Sequence, residues 1–289
     1  MPRFAHVTGW GMAVPNKVMT NFELSKFVET NNEWIIDRTG IRERRIANDD
    51  ETTASLATDA ALRALDMANL DPSKVDLVIV STSSPEHLFP ATACLVQDRI
   101  GASKAGAFDL SAACTGFIYA LNFAAQAVRT GNVDNVLVIG AETLSRLVNW
   151  KDRGTCILFG DGAGAFVLQA TNVPGGVLSA VMRSDGSGGD LLSVPAGGSR
   201  LPTSAATIAQ GQHYIQMNGR EVYRFATRVM TQATQEAVQK ANLQMEDVNL
   251  IIPHQANQRI IEAAARQLNF PMDQVVVNIG NYGTTSTAS

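Results

Sequence analysis

The sequence predicts an α/β protein made of two similar halves, and three observations carry that expectation. Strand-length apolar runs alternate with amphipathic helical stretches along the chain. A block around residue 70 recurs around residue 243 with its internal spacing intact. The 289 residues are 45% hydrophobic and 17% charged, enough for a sizeable core and about two domains' length at roughly 150 residues per domain.

The elements follow in order. Thr20-Asn21-Phe22-Glu23 has capping-box spacing and opens a helix expected to run to about Val28. A second helix is expected from near Thr53 to Ala68, with Leu56, Ala60, Ala64 and Met67 on one face. Val75 to Val80 reads as a buried strand, Ala91 to Ile100 as a helix, and Ala105 to Leu110 as a strand ending at Ser111-Ala112-Ala113-Cys114. A helix from about Thr115 to Arg129 follows, and strands at Val133 to Ile139 and Ala163 to Gln169 close the first half. Ala241-Asn242-Leu243 stands 173 positions after Ala68-Asn69-Leu70, as Val248 to Ile252 does after Val75 to Ile79. Matching spacing and order point to duplication, with halves at 1–172 and 173–289. On that reading the second half is truncated. After a strand at Val275 to Ile279 and a turn at Gly280-Asn281-Tyr282-Gly283 it lacks the helix and two strands that follow Cys114 in the first half. An unpaired sheet edge of that size is a liability, so the expectation is a C-terminally incomplete chain.

Composition excludes several classes. A net charge of −4 from 23 Lys+Arg against 27 Asp+Glu gives no general basic footprint for nucleic acid. No apolar run approaches the ~20 residues of a membrane span, and Met1-Pro2-Arg3-Phe4-Ala5-His6 holds no signal core. Cys94, Cys114 and Cys156 form neither a disulfide framework nor a zinc site, having no CxxC and no histidine in ligand spacing. The expectation is a cytoplasmic protein that meets neither membrane nor nucleic acid.

Cys114 lies where a strand gives way to a helix, between Ala113 and Thr115-Gly116. Helix N-terminal amides there favour a thiolate, and small neighbours admit a substrate. Cysteine is also a common packing residue, and the local context leaves both roles open. Cys94 and Cys156 lie in apolar patterns and read as packing residues. His254 follows Ile251-Ile252-Pro253 at a strand's C-terminal end, where α/β ligand sites concentrate, and the repeat sets that end beside the Cys114 end. Gly160-Asp161-Gly162-Ala163-Gly164 runs into strand rather than helix, which argues for tight backbone packing and against a dinucleotide loop. Arg259 and Arg266 share one face of the helix after His254, and Arg220 and Arg224 sit near the start of the 221–242 helix. These read as solvated faces, though an anionic partner docking near His254 would use the same residues.

Taken together, Glu33-Trp34-Ile35, Arg38-Thr39-Gly40-Ile41-Arg42-Glu43-Arg44, Ala112-Ala113-Cys114-Thr115-Gly116-Phe117, Asp152-Arg153-Gly154-Thr155, the Gly160 run with Phe159 and Pro253-His254-Gln255-Ala256-Asn257 make the chain resemble the β-ketoacyl-[acyl-carrier-protein] synthases III, thiolase-fold condensing enzymes. The resemblance implies a five-layered α/β/α/β/α fold of two duplicated halves, usually a homodimer. It implies decarboxylative condensation of an acyl-CoA primer, expected to be acetyl-CoA, with malonyl-acyl carrier protein, which initiates fatty acid synthesis. Cys114 would be the acylated nucleophile and His254 part of the condensation site. Trp34 and Arg153 would sandwich the coenzyme A adenine with Thr30 and Arg38 nearby, and Asn257 would touch the pantetheine arm. Phe89, Leu158 and Tyr223 would shape the acyl pocket, and Arg224, Arg259 and Arg266 would meet the acidic carrier protein. Coenzyme A thioester enters as substrate, and no cofactor or metal is implied.

Two departures stand out. The family's Gly-Asn-Thr-Ser pattern is Gly283-Thr284-Thr285-Ser286 here, so Thr284 occupies the third catalytic position. The family's C-terminal glycine-rich loop, which completes the oxyanion hole, lies beyond Ser289. The substitution opens an alternative, a non-condensing acyltransferase or a degenerate partner subunit on the same fold.

Overall fold

The computed structural model describes residues 2–289. One mixed five-stranded sheet organises the first half, in the order β1-β7-β6-β4-β5. Its strands are β1 (Phe4–Ala13), β4 (Leu77–Ser81), β5 (Gly106–Leu110), β6 (Asn135–Thr143) and β7 (Asp161–Thr171), while β2 (Val18–Thr20) and β3 (Glu43–Arg45) form a separate hairpin-like pair. Strand β4 runs parallel to both β5 and β6, and β7 runs antiparallel to β6 and β1. Helices cover both faces. On one face α3 (Thr53–Met67) packs Ala57, Ala60 and Ala64 on Val78, Val80, Leu137, Ile139, Ala165 and Val167. On the other, α5 (Gly116–Arg129) packs Ala120, Ala124 and Val128 on Ile79, Val136, Val138 and Leu168. Strands buried on both faces explain the continuous apolar runs in the sequence.

Local chemistry sets the helix ends. A capping box between Thr52 and Ser55 starts α3. α4 (Thr92–Arg99) has no cap of its own; the Asp109 carboxylate reaches over from β5 to accept the Thr92 and Ala93 amides, each at 2.7 Å. The expected capping box at Thr20 and Glu23 forms, but α1 is only Asn21–Leu24, not a helix to Val28. Met67, expected on the buried face of α3, is half exposed and takes the Trp10 amide on its sulfur at 3.3 Å.

The repeat is visible as backbone geometry. Asn69 and Asn242 hold left-handed φ of 49° and 58° at equivalent points, and each is followed by a 3-10 turn, Pro72–Lys74 and Met245–Asp247. Beyond that the halves diverge. The strands expected at Val248–Ile252 and Val275–Ile279 meet only at one parallel bridge, Ile251 with Val275, and Ile279–Tyr282 turns helical as α10. No further strand flanks that bridge among the described residues, so Leu250 and Ile252 stay exposed and a ladder does not propagate. The remaining helices are α2 (Asn32–Thr39), α6 (Arg153–Cys156), α7 (Ala205–Ala209), α8 (Gly219–Lys240) and α9 (Gln258–Leu268), with α8 packed on α9. No helix among the described residues is long and apolar enough to cross a membrane.

The two halves interlock where the chain runs from α10 to its last turn, Ser286–Ala288. Thr284 pairs with Phe159, its amide on Leu158 O at 2.8 Å and its carbonyl taking the Gly160 amide at 3.0 Å. The last turn then enters the first half through two gaps left by glycine. A Cβ on Gly140 would collide with the Thr287 carbonyl, and one on Gly116 with the Ser81 hydroxyl, which itself bonds Thr287 Oγ1 at 2.9 Å. Gly140→Ala is therefore expected to cost about 1–3 kcal/mol by overpacking, read as a fall of several degrees in Tm in a thermal melt.

Candidate active site

Cys114 sits in a 3-10 turn, Ala113–Thr115, at the mouth of α5. Ala113 holds a left-handed φ of 47° and Ser286 one of 49°. Such a conformation costs a side-chain-bearing residue of order 1 kcal/mol or more, and two of them meet at one place. His254 reaches the same place from the second half, so the structure brings together the two residues that the sequence marked. The imidazole and the Ser286 hydroxyl both face the Cys114 thiol. Burial pushes the Cys114 thiol up, yet the His254 charge and hydrogen bond together with Ser286 outweigh it and hold the thiol below its ordinary value. Burial likewise pulls His254 down, but the Cys114 charge, its hydrogen bond and the Ser289 backbone carry the imidazole above its ordinary value. Each group thus favours the charged form of the other against the cost of burial. Cys156 shows the contrast: buried with no imidazole, it is pushed up to about 11, first by burial and then by Asp152. Cys94, expected to pack, is exposed on α4.

A third ionisable group, overlooked in the sequence, stands behind the sulfur. Glu142, fully buried at the end of β6, accepts from Ser84 Oγ at 2.6 Å, from the Ser83 amide at 3.0 Å and from Thr82 Oγ1 at 3.3 Å, and Ser286 stands near it. Burial pushes its carboxyl above the usual range despite those donors, and its charge opposes the Cys114 thiolate. The available signal was an acid closing the apolar run Val136 to Ala141. Ser289 was also missed; its Oγ lies 3.0 Å from His254 Nδ1.

The other expected site residues are either engaged within the chain or exposed on its surface. The Arg153 guanidinium stacks on the Trp34 ring at 5.0 Å and donates to Glu29 O at 3.1 Å, so the two form a closed pair, not an open slot. Thr30 lies nearby in sequence with its buried hydroxyl unpartnered. Asn257 caps α9 through the Arg259 amide at 2.9 Å and donates to Arg38 O at 3.0 Å. Arg259 pairs with Asp37 at 2.9 Å, Arg38 approaches the same carboxylate at 3.8 Å, and Arg224 pairs with Glu221 at 2.9 Å, while Arg266 is exposed. Leu158 packs beside Phe159, and Tyr223 is partly exposed on α8. Phe89 is 86% exposed, its ring outside the core. Thr284 is buried and forms no hydrogen bond to Cys114 or His254 among the described residues.

Comparison with known proteins agrees with this geometry. Residues 108–186 match the model for 3-oxoacyl-[acyl-carrier-protein (ACP)] synthase III, and residues 238–289 match the model of its C-terminal part. The beta-ketoacyl-[acyl-carrier-protein] synthase III of Roseiflexus sp. (strain RS-1) is 50% identical over 289 residues, all of this chain and 88% of the relative. The chain belongs to the β-ketoacyl-[acyl-carrier-protein] synthase III family. Another synthase III of that name, from Caldanaerobacter subterraneus, is 52% identical over 99% of this chain and 86% of its own length. The crystal structure of the Aquifex aeolicus VF5 synthase III superposes with a TM-score of 0.90 at 47% identity, covering 99% of this chain and 87% of that one. The thiolase-like fold class expected from the sequence is thereby established. The expected C-terminal incompleteness is not borne out, and the synthase III relatives above are matched over 86–88% of their length.

The two opposed shifts carry an expectation for the reactivity of Cys114. Iodoacetamide alkylation of Cys114 is expected to persist at pH values below the ordinary thiol range. In His254→Ala, burial and Glu142 act unopposed by a cation, so the alkylation midpoint should move above that range. Rates followed across pH by intact mass check both.

Proposed function

We propose that Cys114 is the nucleophile of a decarboxylative Claisen condensation between an acyl-CoA primer and malonyl-acyl carrier protein. The observation that carries it is the Cys114–His254 pair at the mouth of α5, set inside a synthase III chain. The thiolate attacks the acyl thioester carbonyl, and backbone amides at the start of α5 supply donors for the oxyanion, each worth roughly 10²–10³-fold. Coenzyme A leaves with a proton from the imidazolium, and the acyl group stays on sulfur. Malonyl-carrier protein then loses carbon dioxide, the enolate oxygen takes hydrogen bonds from the site, and the carbanion attacks the acyl-cysteine to release 3-oxoacyl-carrier protein. Incubation with acetyl-CoA should leave one acetyl group on Cys114 by intact mass and none on Cys114→Ala; unmodified wild-type protein would remove the reading.

Thr284 bears on the second step. An Asn amide presents two N–H donors on a planar arm, whereas threonine has one hydroxyl on a shorter stem. The backbone at 284 is clamped between Leu158 and Gly160, so exchange of the side chain leaves the register unchanged. Thr284→Asn should raise carbon dioxide release from labelled malonyl-carrier protein about 10-fold or more with the acetylation rate little altered. The alternative of simple acyl transfer predicts no gain.

The same reading extends to recognition and assembly. Arg153 and Trp34 would part to receive adenine, with Thr30 and Arg38 beside it and Asn257 toward the pantetheine; Arg224, Arg259 and Arg266 would meet the acidic carrier protein. No cofactor is required, because the thioester carries its own activation. The halves divide at 172/173. Strand β5 is an edge of the sheet, with Phe123 exposed against its Phe108, and Leu88, Phe89 and Ile118 are exposed as well. A second copy pairing there would make a homodimer whose Phe89 closes the partner's acyl pocket with Leu158 and Tyr223.

A further inference from the structure

A carboxylate buried at a strand end costs free energy that an apolar side chain there would not. At Glu142 that charge gathers donors from one loop, the chain between β4 and α4. The Ser83 amide reaches both carboxylate oxygens, at 3.0 and 3.1 Å. The Thr143 amide donates to Ser84 Oγ at 2.8 Å, and the Ser84 amide to Thr82 Oγ1 at 3.1 Å. Each of those hydroxyl oxygens is therefore already an acceptor, and its own single proton goes to Glu142. Hydrogen bonds of this kind, to an ionised group, are the strong ones. Thr53 Oγ1, at the start of α3, donates to Ser84 O at 2.6 Å and closes the stem of the loop from the other side.

Further along, Glu86 holds the loop again. Its carboxylate takes the Ala54 amide at 3.1 Å and approaches Arg99 at 4.0 Å, and its own amide donates to Thr92 Oγ1 at 3.1 Å. Between these anchors and α4 the tip projects: His87, Leu88, Phe89 and Pro90 are all exposed, Leu88 and Phe89 each to 86%. We propose that Glu142 is a positioning residue that clamps the stem of this loop and so fixes where Leu88 and Phe89 stand. On the condensing reading above, on which this consequence rests, Phe89 closes the acyl pocket of a second copy. Glu142 then sets how firmly that wall resists a longer acyl chain. The same carboxylate stands behind Cys114, so two effects have to be separated. Its charge acts on the sulfur, its hydrogen bonds act on the loop, and Ser84 takes part only in the second.

Chymotryptic cleavage after Leu88, followed by intact mass, reads release of the loop without acyl chemistry. Glu142→Gln turns an amide N–H toward these donors, and Ser84→Ala removes one donor while leaving the charge in place. Each should raise the cleavage rate about 10-fold or more, the size of a hydrogen bond to a charged group, with the melt still cooperative. Ser84→Thr, which keeps a hydroxyl, should bring the rate back toward wild type. The ratio of Cys114 acylation rates with acetyl-CoA and hexanoyl-CoA should fall about 2–10-fold in Ser84→Ala, the ordering cost of one side chain. Cleavage at the wild-type rate in both variants would overturn the proposal. A rise in Glu142→Gln alone would do so too, because the charge and not the clamp would then be acting, as would faster cleavage with an unchanged ratio. If Glu142→Gln fails to fold, Ser84→Ala against Ser84→Thr decides. Wild type that takes no acyl group from either thioester overturns the condensing reading, and the cleavage rates still score the clamp.

Discussion

A half-buried thiol ionises more readily beside a positive charge, and this chain must fold two distant segments against each other to provide one. Cys114 comes from the strand-to-helix turn of the first half, His254 from the corresponding end in the second. Desolvation opposes each charge alone, while their mutual attraction grows in the same low-dielectric setting. The pair is thus a tertiary property, absent from either half in isolation. Much of the architecture around it is a means of approach: alanines where α3 meets the sheet, glycines at 116 and 140, and a final turn that fills the gaps they leave.

A buried arginine supports the same junction. Arg44 is fully enclosed and donates to Met19 O at 3.2 Å, Asn21 Oδ1 at 2.9 Å and Ile157 O at 2.7 Å. Burial lowers its guanidinium to about 10, so it remains a cation at neutral pH. Its Cβ fills the space that side chains at Gly160 and Gly283 would need. One side chain therefore ties the β2–β3 pair, α1, and the segments leading to Thr284 and Ser286 into one body, and the strain stored at Ser286 is held by that body.

Much of this was legible in the sequence because it is written locally. The strands of the first half, the capping box at Thr20, the helix from Thr53 and Cys114 before a helix all depend on neighbours a few residues away. Asn69 and Asn242 carried the repeat because a left-handed turn selects asparagine in both copies. What stayed hidden depends on distant contacts. Glu142 looks like an ordinary strand end until Ser84 and Ser286 fold over it, and Ser289 acquires meaning only from His254. The apolar runs at Val248–Ile252 and Val275–Ile279 predict strands, but a ladder requires neighbours on both sides, and only the Ile251–Val275 bridge forms while Ile279 turns into α10. Cys94 sits in an apolar pattern on a helix face that α4 leaves uncovered.

If a planar ligand enters between the stacked Arg153 and Trp34, as proposed above, its entry is an exchange. A planar ring that inserts between them forfeits a cation–π contact of about 0.5–1 kcal/mol and acquires two faces in return, provided the Arg153 tether to the Glu29 carbonyl can stretch or break. Selectivity at that doorway then lies in how well a visitor replaces the embrace it interrupts: flat, electron-rich heterocycles recover the loss, and aliphatic ones do not.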